Sequence, residues 1–306
     1  MTTPTQAETA REQVVVLGLP DAPPAEALGG KAARLDEMIR SGLPVPPAFC
    51  LTTGLFERFL RDGGLAADIE GAEPAKLRER ILASEIPEEI ASAVLDAYGD
   101  LGRPRVAVRS SASREDSASH SFAGQHDTVL DIAGDEALLD AVKVCWASLW
   151  SERASAYRSA AGAGSIAVVV QRMVHADAGG VLFTRDPISG RADRFVVEAC
   201  WGLGEGLVAG KVASDFFLID PDGARVVERK VRYKVTKCAP LEPGSVGLVK
   251  VDAAARNAPC LTDAQLAGLA ELAVRVRDHY GADQDIEWAS RDGEPYLLQA
   301  RPITTA

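Results

Sequence analysis

The chain has 306 residues, 47% hydrophobic and 25% charged, the make-up of a globular protein long enough to bury a core without cross-links. Its formal net charge of -11 repels nucleic-acid phosphates at long range, which argues against a nucleic-acid binder but leaves room for a small anionic ligand held by local cations. Cys50, Cys145, Cys200, Cys238 and Cys260 are scattered with no Cys-x-x-Cys pair, as expected of reduced thiols in a cytoplasmic protein. Residues 1–13 carry no apolar signal-peptide segment, and no run approaches the roughly 18 apolar residues of a membrane span.

In chain order, residues 1–13 read as a flexible tail and 14–17 as a short β-type run. Gly29-Gly30-Lys31 opens a helix with Leu35, Met38 and Ile39 on one face, and Gly42 with Pro44 stops it. Residues 55–100 read as helices separated by Gly and Pro, 106–108 as a strand, 128–132 as another, and 136–160 as helical. The β-branched run 166–170 reads as a buried strand that continues into Gln171-Arg172-Met173-Val174. Strands at 181–183 and 195–199 flank the turn at Asp186-Pro187, and a glycine cluster follows at 202–210. Thr262 and Gln265 make a capping box for a helix striped with Leu266, Leu269, Ala273, Val276 and Tyr280 and ended by Gly281. Two further strands lie near 284–288 and 296–301. The mixed order predicts an α+β fold rather than a doubly wound sheet. A boundary near 187–195 divides the chain into the tail, a first lobe at 14–190 and a second at 191–306.

Four patches could carry chemistry. Gly29-Gly30-Lys31 offers close backbone approach, a helix N-terminus and a cation, all suited to phosphate. It is not a Walker A loop, since Ala25 and Ala32 stand where that motif needs Gly and Ser or Thr. By itself it reads as a glycine-rich turn with a solvated lysine. Next, the strand 106–108 delivers Arg109, a planar phosphate fork, into a hydroxyl-rich run, with Phe122-Ala123-Gly124-Gln125 and Thr128 beyond as a candidate flap. A serine-rich surface loop explains the same residues. Trp201-Gly202-Leu203-Gly204-Glu205-Gly206 fits a dinucleotide fingerprint by spacing only, without the βαβ setting that motif requires, and reads better as a mobile or tightly turned loop.

The fourth patch is a hairpin about Asp292-Gly293. Leu297, Gln299 and Arg301 share one face by alternation. A three-residue loop places Glu287 opposite Gln299 with Asp285 and Arg301 beside them, two hard oxygen ligands for magnesium next to a phosphate cation. A two-residue turn sets Glu287 opposite Leu298 and scatters the group, and cross-strand ion pairing on a solvated face remains the plainer alternative. The four histidines, His120, His126, His175 and His279, stand at no metal-ligand spacing and read as structural or solvated.

These patches recur together and in order. Gly29-Gly30-Lys31-Ala32-Ala33-Arg34-Leu35, Val108-Arg109-Ser110-Ser111-Ala112, Ser121-Phe122-Ala123-Gly124-Gln125, Gln171-Arg172-Met173-Val174, Gly202-Leu203-Gly204-Glu205, Asp285-Ile286-Glu287-Trp288 and Gln299-Ala300-Arg301-Pro302 are examples. In combination the chain resembles the nucleotide-binding domain of the pyruvate phosphate dikinase, phosphoenolpyruvate synthase and rifampicin phosphotransferase family. The resemblance implies an ATP-grasp fold whose two lobes clamp ATP. It implies that Lys31 and Arg109 bind phosphates, that Gly124 and Thr128 belong to a flap, and that Gln171, Met173 and Val174 line the adenine pocket. Glu287 and Gln299 would hold Mg2+, and Arg301 would touch the transferred phosphoryl group. It further implies transfer of the β-phosphoryl of ATP to a histidine on a swivelling phosphocarrier domain or subunit, giving AMP and phosphate, and then to a small-molecule acceptor. The carrier histidine's Gly-Gly setting is not found after Gly63-Gly64 or Gly179-Gly180, so the carrier is expected outside this chain. Two other readings compete. One is a self-contained ATP-grasp kinase or ligase with an acceptor site in the basic segment 221–260 (Arg225, Arg229, Lys230, Arg232, Lys234, Lys237). The other is a non-catalytic nucleotide sensor.

Overall fold

A computed structural model describes residues 6–66, 69, 73–112, 128–151, 165–222, 225–242 and 244–303. The chain forms two compact units, one of residues Met1–Glu37 and Pro47–Met173, the other of Met38–Pro46 and Val174–Ala306.

The first unit is built on an antiparallel sheet of β1 (Val14–Val16), β2 (Ala48–Leu51), β3 (Val106–Ala112), β4 (Thr128–Ile132) and β5 (Ile166–Arg172), in the order β1-β2-β5-β3-β4. Alternation sends Phe49, Leu51, Val106, Val108, Ile166, Val168 and Val170 into one hydrophobic cluster. There they meet α3 (Thr53–Asp62), α4 (Pro74–Ala83), α5 (Glu88–Asp100) and α6 (Asp135–Ala147) through Phe59, Ile81, Val94 and Trp146. Phe59 stacks on Trp146 with ring centroids 4.6 Å apart. The expected flexible tail is in part ordered. Residues Gln6–Glu12 form α1, which packs on α5, buries Ala10 and pairs Arg11 with Asp96 at 2.5 Å. A helix of two turns with one buried alanine leaves too little periodicity to be seen in sequence.

α2 (Ala25–Arg40) is interrupted at Gly29, whose φ is 73°. Its C-terminus closes as the glycine predicts: Gly42 has φ 72°, and the Leu43 N–H reaches the Met38 carbonyl at 3.1 Å.

The second unit holds a six-stranded antiparallel sheet. Its strands are β6 (Ala178–Phe183), β7 (Phe195–Trp201), β8 (Asp215–Asp220), β9 (Arg225–Lys230), β12 (Gln284–Arg291) and β13 (Glu294–Pro302). The order is β13-β12-β6-β7-β8-β9, and β10 (Thr236–Pro240) pairs with β11 (Val246–Lys250) separately. The chain leaves the first unit for the last time at Met173, earlier than the expected 187–195, because β6 is already an inner strand of the second sheet, paired with β7 and β12. A short helix, α7 (Glu205–Val208), follows β7. The longest helix, α8 (Asp263–Tyr280), starts at the Thr262–Gln265 capping box, ends at Gly281 (φ 62°) and packs on β12 and β13. Its Leu266, Leu269, Ala273 and Val276 are buried, while the sheet buries Ile286, Trp288, Leu182, Val197 and Phe217, which share one face by register. Asp285, Glu287, Val181 and Glu198 occupy the other face.

Candidate functional site

In the first unit, the alternation that buries Val106 and Val108 turns Ala107, Arg109 and Ser111 to the opposite face of β3. Register adds four more side chains to that face. Arg109 pairs with Thr128 on β4 and with Val169 on β5, and Gln171 pairs with Ala107 and Ala48. Arg109 is 8% exposed, Gln171 2% and Ser111 0%, so the face away from the core cluster carries three buried polar side chains. α2 begins against this region. A Cβ at Gly29 would lie 2.2 Å from the Ser111 carbonyl oxygen, so only glycine admits the approach. Beyond it, the Ala32 N–H donates to Ser111 Oγ at 3.1 Å and Lys31 Nζ to the Ser110 carbonyl at 3.2 Å. Lys31 is thereby brought to the backbone one residue past Arg109. Thr128 is exposed at the start of β4, while Gly124 lies outside the described residues. Met173 is half-buried with its N–H on the Arg105 carbonyl (2.8 Å). Half-buried Val174 belongs to the second unit, and its carbonyl accepts from Ala176 at 2.9 Å.

The second unit carries Glu287, Gln299 and Arg301. The β12–β13 turn has two residues, Asp292 (φ 53°) and Gly293 (φ 88°), the left-handed pair of a tight hairpin, and not three. Near the turn the pairing follows that geometry: Arg291 faces Glu294 and Trp288 faces Leu297. The register then shifts between Glu287 and Trp288, leaving Leu298 as an extra residue. Beyond this bulge Glu287 faces Gln299 and Asp285 faces Arg301. The expected pair therefore forms for a different reason, the bulge supplying the offset that a longer loop would have given. Leu297 does not share a face with Gln299 and Arg301, since it pairs with Trp288 on the buried side.

Arg301 donates from Nε (2.8 Å) and Nη2 (2.7 Å) to Asp285 Oδ2, which fixes the plane of the guanidinium. Burial pushes the Asp285 carboxyl above its ordinary value, and the nearby Glu287 charge adds to the rise against the opposing pull of Arg301. Asp285 is the residue that the candidate set lacked. Its sequence signal was the alternation of acid and apolar residues at 285–288, which places it on the Glu287 face. Among the described residues no group of three or more His, Cys, Asp or Glu side chains could hold a metal by themselves.

Other patches resolve as structure. A Cβ at Gly202 would sit 2.2 Å from the Cys238 carbonyl oxygen, and one at Gly179 would sit 2.8 Å from the Gly204 nitrogen. These glycines let backbone pack on backbone, as a tightly turned loop requires. In the basic segment, Lys234 is fully buried on Asp215 (2.6 Å), Lys230 pairs with Glu228 (2.7 Å), Arg225 with Asp220 (3.8 Å) and Arg229 with Asp263. Four of the six cations of the segment are thus paired with acids. All five cysteines are buried as free thiols, and burial pushes Cys200 up to about 12, far from a reactive thiolate.

The molecule thus combines mixed helix and sheet with a lysine after the glycine break of α2, a buried arginine on β3 and an acid–amide–arginine hairpin. The chain belongs to the family described as pyruvate phosphate dikinase, AMP/ATP-binding domain, whose model matches residues 25–306. It is 47% identical over 280 residues to the prodigiosin synthesizing transferase PigC of Serratia marcescens, covering 91% of this chain and 32% of that protein. It is 40% identical over 301 residues to a probable phosphoenolpyruvate synthase of Methanothermobacter thermautotrophicus (90% of this chain, 44% of that one). It is also 39% identical over 298 residues to the rifampicin phosphotransferase of Streptomyces sviceus (91% and 34%). The chain thus spans less than half the length of each of these relatives. A D-alanine–D-alanine ligase of Bacillus anthracis overlays at 9% identity with a TM-score of 0.32, covering 87% of this chain and 53% of that one, too loosely to bear on the fold. No helix among the described residues is long and apolar enough to cross a membrane.

Proposed function

We propose that this chain is the ATP-grasp, phosphoryl-donating part of a dikinase-type phosphotransferase. The observation that carries the reading is the hairpin pair Glu287–Gln299 beside the Asp285–Arg301 grip, in a chain whose residues 25–306 match an AMP/ATP-binding domain. Lys31 and Arg109 bind phosphates, and Gln171, Met173 and Val174 border adenine. Gly124 and Thr128 cover the nucleotide, and Arg301, aimed by Asp285, meets the phosphoryl group in transfer. A histidine nitrogen of a carrier domain bonds to the β-phosphorus. The α–β bridge then breaks to release AMP, and water takes the γ-phosphoryl as phosphate. The protein's part is to hold the groups in line and to oppose the spreading negative charge.

The acidic end of the hairpin fits a magnesium ion. Two carboxyl groups, Asp285 and Glu287, lie on one face, with the Gln299 amide opposite Glu287. Glu287 and Gln299 would hold the ion, with phosphate and water completing a shell of hard oxygens. Bound there, magnesium would neutralise phosphate charge. The same chemistry on a histidine of a separate domain fits the engagement of the basic segment with acids, which disfavours a self-contained kinase. The test is a product assay with Mg-ATP, with and without a histidine-bearing carrier protein. AMP formed only with the carrier is expected. ADP formed without it would overturn the proposal.

A further inference from the structure

Strand β7 reads Phe-Val-Val-Glu-Ala-Cys-Trp, with Glu198 the single charged residue and half-buried. A carboxylate in an inner apolar strand is costly to desolvate and calls for specific partners. Its face is set by register: Glu287 pairs with Val181 on β6, and Val181 pairs with Glu198. Glu287, Val181 and Glu198 therefore stand in one row, Gln299 completing it at the β13 side and half-buried Phe216 flanking it on β8. Two strand spacings put the Glu198 and Glu287 backbones roughly 10 Å apart. Ser214 Oγ donates to Glu198 Oε2 at 3.0 Å, which orients the carboxylate, and a carboxylate has acceptor sites well beyond one hydroxyl.

The direction along the sheet also matters. β6 begins at Ala178, four residues after Val174, the residue read as bordering adenine, and ends at Phe183, which pairs with Asp285, the residue gripping Arg301. The row containing Glu198 lies between these ends. A nucleotide laid along this face with its base toward Val174 and its phosphates toward Arg301 brings its sugar across that row. We propose that Glu198, oriented by Ser214, binds the ribose diol of ATP, each hydroxyl donating to a carboxylate oxygen. This rests on the nucleotide-binding reading above and deepens it by assigning the sugar subsite.

The experiment is calorimetric titration of the chain with Mg-ATP, Mg-2′-deoxy-ATP and Mg-3′-deoxy-ATP, for wild type, Glu198→Ala and Glu198→Gln, with thermal unfolding of each variant alongside. Wild type is expected to favour ATP over at least one deoxynucleotide. Glu198→Ala is expected to lose about tenfold or more in ATP affinity, the scale of a hydrogen bond to a charged group. It should bind that deoxynucleotide nearly as wild type does, so that the preference disappears. Glu198→Gln, which keeps an acceptor for Ser214, should fall between. An equal loss for all three nucleotides, an unchanged ATP affinity, or a wild type indifferent to the sugar hydroxyls would overturn the ribose assignment. A wild type that binds no ATP would overturn the nucleotide reading itself.

Discussion

Gly29 and Gly42 both have positive φ, 73° and 72°, yet differ in what a side chain would meet. A Cβ at Gly42 finds nothing within 4 Å, whereas one at Gly29 falls 2.2 Å from the Ser111 carbonyl oxygen and 2.5 Å from Ser111 Oγ. Gly42→Ala should therefore cost only left-handed strain, about 1–2 kcal/mol. Gly29→Ala adds overpacking of about 1–3 kcal/mol and loss of the Ala32–Ser111 hydrogen bond, about 0.5–1.5 kcal/mol, because the helix start must move off β3. The difference between the two variants should be on the order of 2–4 kcal/mol, or roughly 5–15 °C in Tm for a unit of this size. Function should separate as well. Lys31 rides on the displaced segment, so Gly29→Ala should weaken Mg-ATP binding while Gly42→Ala leaves it unchanged. The measurements are thermal unfolding and ATP titration of the two variants side by side. Equal Tm losses, or intact ATP affinity in Gly29→Ala, would refute the claim that close packing at Gly29 seats the phosphate cation.

Lys31→Ala and Arg109→Ala should each weaken ATP binding by about tenfold or more, since each removes a charge-assisted contact to phosphate; unchanged affinity in both would remove them from the site. Lys234→Met should lower stability by about 3–5 kcal/mol, because Asp215, itself 0% exposed, would lose its cation and keep neutral partners such as the Arg232 and Cys260 N–H groups. Adding Asp215→Asn, which removes the charge and keeps a side-chain acceptor, should restore part of that loss in denaturant unfolding, and failure of the double variant to recover would speak against an unpaired buried charge as the cause. The Asp285 carboxyl is raised in the fold, so the folded state binds its proton more tightly than the unfolded chain. Its contribution to stability is fully present below the ordinary value near 3.8 and is lost as pH rises through the raised value. The stability advantage of wild type over Asp285→Asn should accordingly be greatest in acid and shrink toward neutrality, and an advantage that grows with pH would reverse the assignment of burial as the dominant cause.

Much of the site was legible because its residues sit at marked places in local patterns. Glycines before a lysine, an arginine at a strand exit, and acids alternating with apolar residues are all visible within a few positions of the chain. The Glu287–Gln299 pair was legible only conditionally, since it hung on the length of one loop. The three-residue loop that the pairing assumed is absent and the alternative two-residue turn at Asp292-Gly293 is present; the bulge at Leu298 that rescues the pairing has no local signal. Asp285 was visible as a neighbour of Glu287 but not as the anchor of Arg301, because an ion pair across strands depends on register. Glu198 went unremarked, since its row becomes apparent only when β12, β6 and β7 are laid side by side.

By itself the sequence determined the strands near 106–108, 128–132, 166–170 and 195–199, the C-terminal stop of α2, both ends of α8, and which side chains on those strands are apolar, because helix capping and period-two alternation act over a handful of residues; the start of α2 at Ala25 and the strands β8 to β11 were not read. The tertiary structure alone decided which strands are neighbours, how their ladders are offset, and that the chain passes finally to its second unit after Met173, having contributed Met38–Pro46 to it earlier. The physical reason is that alternation assigns a side chain to a face of its own strand, whereas backbone hydrogen bonds between segments as distant as Val181 and Glu287 assign that face its companions.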